Sequence, residues 1–583
     1  MDPFLEISLV SQNWVLLSAQ AAFCDCPVCQ SKLSLKTQKI TAETVFFSCS
    51  SGCNPLAVAE KFGLEASDIR PPVREEDVVI IYPTESRGIT VWRLVKQSIA
   101  AERLARVIEN LSFDSVSGSW MVYHGYWSAE PDTRAMRRIL DSINRHGGEL
   151  AGYDLSYSTG IAGFLKIRLA AESFDSNSAL IPFKNGTLDM LSGCFRPPDP
   201  EDWLTWQIPV EWPDRYVEIG SSSILAWLEE SLGEDSQIPL IRAFVRAILT
   251  GRADLQRYLE IIGPPGSGKG TFLRLLTALV GQKNSHSTTL KTLENSRFET
   301  ASLYKKKLVQ ITDAETYSGD CPIFKAITGD DFIPNETKHR QAGEPFRFQG
   351  LVVIAGNATA ATGDYSGALA RRRITVRFIN LVRPEDRMNM DEIFKPHLAG
   401  FIKWVIDMDE IDMITLLRNP GTSGERATRT ALAAIIDANP VAAWANDCLT
   451  LSPGFEVAVG IKKEKNVSEL GQFGNRETSI LFEDMDNKLY PNYLAWSRGN
   501  GQHPVALKKF SSALHGLLAE QLRLPVLKLQ NSGGRGVRFQ GIKIKNENER
   551  GIIDQVMPPP APPSVKESRA AEGESGWVRD EPF

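Results

Sequence analysis

The strongest chemical signal in the chain is a glycine-rich loop, Gly263-Pro264-Pro265-Gly266-Ser267-Gly268-Lys269-Gly270-Thr271. It follows the apolar run YLEII and precedes FLRLLTALV. Glycines let backbone N–H groups approach a phosphate chain, and a helix start adds partial positive charge. Lys269 is expected to reach the β and γ phosphates. Because Gly270 stands directly after Lys269, where Ser or Thr is usual, the assignment of the magnesium-binding hydroxyl to Thr271 stays open. The loop predicts an ATP and Mg²⁺ site.

Polar residues follow two further apolar runs. Asp313 and Glu315 come after the run at 308–311, and Asn357 comes after the run at 351–356. A carboxylate at a strand end holds Mg²⁺, and a second one orients the attacking water. We predict the metal role for Asp313 and the water-activating role for Glu315. Asn357 is predicted to sense the γ-phosphate or to position that water.

Three arginines, Arg371, Arg372 and Arg373, precede the strand-like run ITVRF. An arginine supplied by a neighbouring subunit stabilises charge on a transferring phosphoryl group. We predict this role for Arg372 or Arg373. The run then implies that ATP is hydrolysed at an interface between subunits.

Cysteines cluster near the N-terminus. Cys26 and Cys29 form one pair, and Cys49 and Cys53 form a second pair after nineteen intervening residues. Four thiolates from two such pairs make a structural zinc site, although the second pair has three intervening residues instead of two. Cys24 is either a bystander or an alternative ligand.

The order of the loop, ITDAE, AGN and RRR within residues 263–373 resembles a superfamily 3 helicase, an AAA+ ATPase. More specifically, it is similar to the poxvirus-type NTPase domain of phage and plasmid primase-helicases. The resemblance extends upstream through residues 180–209 and downstream through residues 439–496, where the family has a winged-helix region. Residues 29–69 resemble the N-terminal zinc ribbon of phage primases.

The resemblance also implies residues that contact DNA. In the segment 324–331, Asp330 stands where the family usually has the second glycine of Gly-Gly-Asp. A channel hairpin and a basic C-terminal region would together meet DNA phosphates. The residues implied are Lys325, Lys338, His339, Arg340, Lys508, Lys509, Arg535 and Arg538.

These motifs require a multidomain α/β fold to position them. The chain has 583 residues, 42% apolar and 23% charged, with a net charge of −6, which are ordinary globular values. No apolar run approaches the roughly 18 residues of a membrane helix, and no secretory signal is recognised, so we expect a cytoplasmic protein of a bacterial host without a membrane partner. The predicted domains are a zinc ribbon (1–70), a connecting α+β region (71–170), a helicase-preceding domain (171–220), an AAA+ ATPase with a mostly parallel sheet (221–432), a winged-helix-like domain (433–545) and a disordered tail (546–583).

The function implied is an ATP-driven replicative DNA helicase of a phage, plasmid or integrated element. It would act as a homo-hexameric ring on single-stranded and forked or origin DNA, with a possible primase or initiation partner. A primase also needs carboxylates that hold two metal ions, and we recognise none in residues 70–220. Two alternatives remain: a primase-helicase with a divergent site in 71–220, and an origin-binding initiator or loader that uses ATP as a switch.

Overall fold

A computed structural model of the chain describes most of its residues. The described ranges are 3–18, 21–39, 45–65, 81–86, 89–148, 151–171, 173–213, 223–233, 237–312, 317, 319–336, 343–360, 367–383, 385, 387–470, 476–530 and 536–557. The chain divides into two compact units, Met1–Phe174 and Asp175–Phe583. The predicted multidomain α/β class is confirmed.

In its described residues, the first unit contains three small antiparallel sheets and five α-helices. Its strands are β1 Val15–Ser18, β2 Ala21–Cys24, β3 Leu35–Lys39, β4 Val45–Cys49, β5 Ile81–Ser86, β6 Ile89–Leu94, β7 Leu111–Asp114, β8 Ser119–Tyr123 and β9 Trp127–Glu130. Its helices are α1 Pro3–Val10, α2 Pro55–Lys61, α3 Gln97–Leu104, α4 Asp132–Ile143 and α5 Leu155–Arg168. Strands β1 to β4 form one sheet in chain order, β5 pairs with β6, and β7 to β9 form the third sheet.

The second unit begins with a three-stranded antiparallel sheet and continues into a parallel one. Its first strands are β10 Leu180–Phe183, β11 Gly186–Asp189, β12 Phe195–Arg196, β13 Tyr258–Ile262, β14 Ser285–Thr288, β15 Leu308–Ile311, β16 Phe332–Asn335, β17 Gly343–Arg347, β18 Leu351–Gly356 and β19 Arg373–Arg377. Its first helices are α6 Ser223–Leu232, α7 Ile238–Leu249, α8 Lys269–Val280, α9 Leu290–Asn295, α10 Pro322–Ile327, α11 Met390–Phe394, α12 Leu398–Ile406 and α13 Glu410–Arg418.

The parallel sheet positions the predicted chemistry. Its five strands lie in the order β14-β15-β18-β13-β19, and every pair is parallel. All residues of β13, β15 and β18 are buried, which explains why these strands read as continuous apolar runs. The predicted parallel sheet is confirmed. Because carboxyl ends of parallel strands share one edge, the segments after β13, β15 and β18 meet there.

The C-terminal part of the second unit has its own core. Its elements are α14 Glu425–Ala438, α15 Pro440–Cys448, β20 Leu449–Ala458, β21 Glu464–Leu470, β22 Arg476–Phe482, α16 Leu489–Gly499, α17 Leu507–His515, β23 Leu527–Gln530 and β24 Val537–Ile544. One antiparallel sheet has the order β20-β24-β23, and β21 pairs with β22 as a separate hairpin. Trp444 is fully buried in this core, and its indole N–H donates to Asn492 at 2.8 Å.

Replacing Trp444 with alanine is expected to lower the free energy of unfolding of this core by about 3–5 kcal/mol, because it leaves a large cavity. The indole packs against Tyr493 and Phe510 at centroid distances of 5.5 and 5.3 Å. Denaturant unfolding followed by circular dichroism measures the loss. Phe455→Ala is the control, since Phe455 is 49% exposed and its loss should cost less than about 1 kcal/mol. Equal losses for both variants would contradict this packing.

The predicted disordered tail is wrong in its first part. Ile552 and Ile553 are completely buried in the C-terminal core, and the Asn446 side chain accepts hydrogen bonds from the backbone N–H groups of Ile553 and Asp554 at 3.0 Å. The many charged residues and prolines of 546–583 led to a prediction of disorder, although Ile552 and Ile553 within this range pack into the core. Residues 558–583 lie outside the described residues.

Within the part of the chain that the structure describes, we find no helix with the length and apolar character needed to cross a bilayer.

Candidate functional site

The glycine-rich loop connects the buried strand β13 to helix α8. Gly266 and Gly268 have φ values of 84° and 92°, in the left-handed region where a side chain is strained. A Cβ atom on Gly263 would lie only 2.3 Å from the carbonyl oxygen of Phe378, so this position also requires glycine. The loop thus places its backbone at the N-terminus of α8, where N–H groups and the helix dipole favour an anion.

Lys269 and Asn357 are brought together at this loop. The Lys269 ammonium donates to the carbonyl oxygens of Gly263 and Pro264 at 2.7 and 2.8 Å. It also donates to the Asn357 side-chain oxygen at 3.2 Å. The contact follows from the sheet, because β18 lies beside β13 with Gly356 opposite Ile262. A cation and an amide are therefore held at one point next to the predicted phosphate cradle.

A cleft of about 850 Å³ opens beside the loop. Thr271 lines this cleft, and its hydroxyl accepts a hydrogen bond from Arg274 at 3.3 Å. Sequence reasoning missed three other lining residues, Trp227, Arg383 and Arg387. Trp227 belongs to α6, and the two arginines follow β19, so no spacing relative to the loop marks them. One aromatic side chain, that of Trp227, and several positively charged side chains therefore line the cleft, which suits it to bind a polyanion.

Trp227 supports the loop directly. A Cβ atom on Gly268 would lie 3.0 Å from the Trp227 ring, so glycine permits this close approach. The indole in turn packs against Phe378 and Phe394 at centroid distances of 6.1 and 5.3 Å. Helix α6 and the segment after β19 therefore both pack against the loop, through Trp227 and Phe378.

The predicted acids, Asp313 and Glu315, lie outside the described residues. The strand that leads to them, β15, is described and pairs in parallel with β18. Its last residue, Ile311, lies opposite Ile354, two residues before the end of β18. The chain therefore leaves β15 at the same sheet edge as Asn357.

The three arginines lie in different environments. Arg371 is exposed. Arg372 is 9% exposed and donates to the Lys325 carbonyl oxygen at 2.8 Å and to the Thr328 hydroxyl at 3.4 Å. The Arg373 side chain is 8% exposed and lies 3.4 Å from the Glu260 carboxylate. Only Arg371, of the three, presents its side chain at the surface of this chain.

Glu260 lies in the middle of β13 and is completely buried. Burial raises the pKa of this carboxyl. The positive charge of Arg373 opposes the rise, as do one hydrogen bond from the Ala360 backbone N–H and one from the Thr375 hydroxyl. A glutamate inside the apolar run YLEII gave no sequence signal for function. Its contacts tie β13 to β19 and to the segment that follows Asn357.

The predicted DNA-contacting residues are spread over two regions. Lys325 lies on α10, half-buried, while Lys338, His339 and Arg340 lie outside the described residues between β16 and β17. In the C-terminal part, Lys508 and Lys509 are exposed on α17, and Arg535 lies outside the described residues. Arg538 on β24 lies 3.3 Å from Glu456, and Lys509 lies 3.9 Å from Asp320. Both pairs are exposed and contribute little to stability.

The four predicted zinc ligands converge. The sulfur atoms of Cys26, Cys29, Cys49 and Cys53 all lie within 4.8 Å of one another. The register explains this, since β3 places Leu35 opposite both Cys24 on β2 and Cys49 on β4. The Cys29 and Cys49 sulfurs are 3.7 Å apart. Two ligands held about 2.3 Å from one tetrahedral zinc would be roughly 3.8 Å apart, so the donor set fits that ion.

Cys24 lies outside this group of four. It is completely buried, and burial raises the pKa of its thiol to about 11. Because the group of converging sulfurs does not include Cys24, the bystander interpretation of this residue is the better supported of the two.

Comparisons with known proteins match parts of the chain. Residues 101–249 match a family model described as D5 N terminal like, and residues 261–373 match one described as a family of unknown function, DUF5906. Each of the two models covers less than half of the chain, and the description of the first names no activity. The second spans the segment from the P-loop strand to the arginine run, and its description names no activity.

Two solved structures of the NrS-1 C terminal region, both described as A form apo structures, are also similar. One shares 13% identity and a TM-score of 0.37, over 53% of this chain and 70% of that chain. The other shares 12% identity and a TM-score of 0.38, over 59% and 77%. These scores are too low to establish a shared fold.

A protein of the liverwort Marchantia polymorpha, described as uncharacterized mitochondrial protein ymf20, is 32% identical over 119 residues. The matched segment covers 19% of this chain and 71% of that protein. Its description names no activity, so this match shows a family relationship but indicates no reaction or ligand. The chain belongs to the family of this Marchantia protein.

Proposed function

We propose that this protein is a ring-forming ATPase that translocates on DNA and separates its strands during replication. The observation that carries the proposal is the contact between Lys269 and Asn357 at the glycine-rich loop. Lys269 begins helix α8 after strand β13, and Asn357 directly follows strand β18, so the two meet at the loop where we expect a γ-phosphate to sit. Lys269-dependent ATP hydrolysis, stimulated by single-stranded DNA, is the experiment that tests it.

The chain's own groups supply the hydrolytic site. Backbone N–H groups of the loop and the Lys269 ammonium hold the phosphates, and the Thr271 hydroxyl and Asp313 are the proposed ligands of Mg²⁺. The bound ion neutralises charge on the phosphate oxygens. Glu315 accepts the proton of the attacking water, and Asn357 orients that water or the γ-phosphate. The common sheet edge supports this set, because it brings these segments together.

We further propose that Arg371 acts on the nucleotide of the neighbouring subunit. Arg372 and Arg373, which the sequence favoured, are engaged within their own chain. Arg371 is exposed, and its backbone is held because its carbonyl oxygen accepts from Arg257. A cation on a fixed backbone that faces outward suits a role across an interface. A homo-hexamer is the assembly that we propose.

DNA contact is proposed at two places. The hairpin β16–β17 carries Lys338, His339 and Arg340 between its strands, where they would line the ring channel with Lys325. In the C-terminal part, the elements α15, β20, α16, α17, β23 and β24 follow in this order, with the separate hairpin β21–β22 inserted after β20. This order and the sheet order β20-β24-β23 support the winged-helix proposal. Lys508, Lys509, Arg535 and Arg538 would then meet duplex phosphates.

We also propose a structural zinc ion at the four N-terminal cysteines. Four thiolates leave no open position for a substrate, so the ion would stabilise the fold of this region and would not act on DNA. The local elements support it: Asn54 caps helix α2 by accepting from the Leu56 N–H at 3.0 Å, directly after Cys53.

Metal analysis of the purified chain is expected to give about one zinc ion per molecule. Cys49→Ser should lose the ion, because it removes one of four ligands. Cys24→Ser and Cys194→Ser are controls that should keep it, since Cys24 is outside the group and Cys194 is exposed. Zinc-free protein with an intact fold, or zinc retained by Cys49→Ser, would refute the site.

One alternative, an origin-binding initiator or loader, is favoured by the C-terminal arrangement. A helix such as α17 beside a β-wing can read duplex DNA without unwinding it. Tight, sequence-specific duplex binding with little strand separation would support it. A primase role gains no such support: the only group of three or more potential metal ligands among the described residues is the cysteine group.

A further inference from the structure

The buried carboxylate of Glu260 contacts both of the segments that the proposed reaction needs. One oxygen accepts from the Ala360 N–H at 2.8 Å, three residues after Asn357. The other accepts from the Thr375 hydroxyl at 3.3 Å and lies 3.4 Å from the Arg373 guanidinium. The single side chain thus joins the segment after β18 to strand β19.

Arg373 closes the same network from the opposite side. It donates to the Ala360 carbonyl oxygen at 3.1 Å, so Arg373 binds the C=O group of Ala360 while Glu260 binds its N–H group. It also donates to the Tyr258 hydroxyl at 3.0 Å and to the Ala434 carbonyl oxygen of α14 at 3.4 Å. The network therefore spans β13, the segment after β18, β19 and a helix of the C-terminal part.

The ends of this network lie close to the proposed catalytic groups. Asn357 is three residues before Ala360 and contacts Lys269 at 3.2 Å. Arg371 is two residues before Arg373 and is exposed. A shift of Asn357 when the γ-phosphate is lost would pull on Ala360, and Ala360 can move only if Glu260 and Arg373 move with it.

We propose that Glu260 is a positioning residue that couples a subunit's own nucleotide site to the arginine it presents to the next subunit. The inference rests on the proposed function. A stability role alone does not require the carboxylate to hold the Ala360 N–H, because an apolar residue would fill the interior of a parallel strand equally well. One end of the network instead lies near Asn357, in the subunit's own nucleotide site, and the other lies near Arg371, which would act on the next subunit's nucleotide. Successive sites in a ring must coordinate these two groups.

The test must separate coupling from stability. Glu260→Leu alone leaves the Arg373 charge buried without its partner and is expected to unfold the sheet. The double variant Glu260→Leu/Arg373→Met removes both charges and is often tolerated in a buried pair. It leaves Lys269, Asn357 and Arg371 in place. Thermal unfolding and light scattering should show a folded, ring-forming protein.

In this double variant, ATP binding is expected to stay within about threefold of wild type, while kcat falls by roughly 10- to 100-fold, since small misplacements far from the chemistry have effects of this size. The dependence of rate on ATP concentration should change from cooperative in wild type to a Hill coefficient near one. An unchanged kcat and Hill coefficient in the folded variant, or a non-cooperative wild-type ring, would overturn the coupling.

These outcomes are distinct from a failure of the proposed function. If wild-type protein shows no Lys269-dependent ATPase activity, the proposed function itself is wrong. If wild type hydrolyses ATP and the folded double variant does so equally well and with equal cooperativity, only the coupling role of Glu260 is refuted. Should the double variant not fold, Arg373→Lys provides the same readout, because it keeps a positive charge beside the Glu260 carboxylate but removes the guanidinium that holds the Ala360 carbonyl oxygen. Its kcat and Hill coefficient are then expected to fall in the same direction, and unchanged values would again overturn the coupling.

Discussion

Replacing Lys269 with alanine is expected to reduce ATP hydrolysis by about 10²- to 10³-fold, the effect typical of removing one preorganised charge from a transition-state site. The ammonium lies within 2.7–3.2 Å of two loop carbonyls and the Asn357 amide. It is therefore held where the β and γ phosphates would meet it. Release of phosphate at saturating ATP, with and without single-stranded DNA, is the measurement.

The control for this variant is Lys291→Ala. Lys291 is exposed on the short helix α9 of the same unit, and its removal should leave hydrolysis unchanged. Circular dichroism should show that both variants are folded. Hydrolysis by Lys269→Ala at the wild-type rate would mean that the activity does not arise at the glycine-rich loop.

Replacing Arg371 with alanine is expected to reduce hydrolysis by about 10³-fold while leaving ATP binding and ring assembly intact, because an arginine finger contributes roughly that much to the rate. Arg372→Ala and Arg373→Ala should instead lower the thermal stability, since both side chains are buried in contacts within the chain. Steady-state rates, nucleotide affinity and unfolding temperature separate the two outcomes.

A mixing experiment shows whether Arg371 acts across an interface. Arg371→Ala subunits have an intact loop, and Lys269→Ala subunits have an intact arginine. Mixed rings contain interfaces that combine the two intact halves, so activity should exceed the sum of the separate variants. If the mixture recovers nothing although the subunits exchange, Arg371 does not act in trans.

Part of this arrangement follows from the sequence by simple rules. A buried parallel strand, a glycine-rich loop and an apolar helix place Lys269 at a sheet edge. The apolar run before Asn357 predicts a second strand of the same sheet, and parallel strands end on one side. The structure agrees, and Asn357 contacts Lys269. Cysteine spacing likewise predicts four sulfurs that converge on one point.

Other features depend on tertiary contacts that no local pattern encodes. Which of three adjacent arginines is exposed depends on the short turn over Ala370–Arg372, which buries Arg372 against α10 and leads Arg373 into the sheet. In the sequence, Glu260 is a single polar residue within an apolar strand, and nothing nearby predicts its contacts with Ala360 and Arg373. Trp227 and Arg387 join the cleft only because α6 and the segment after β19 fold beside the loop. The strand order, with β18 between β13 and β15, also has no local signal.

The most direct test of the central claim is ATP-dependent strand displacement on a forked DNA duplex, measured for wild type and Lys269→Ala side by side. We expect displacement by the wild type and none by the variant, with hydrolysis lost in parallel. Lys269-dependent hydrolysis by the wild type without any displaced strand would contradict a helicase and favour the initiator or loader.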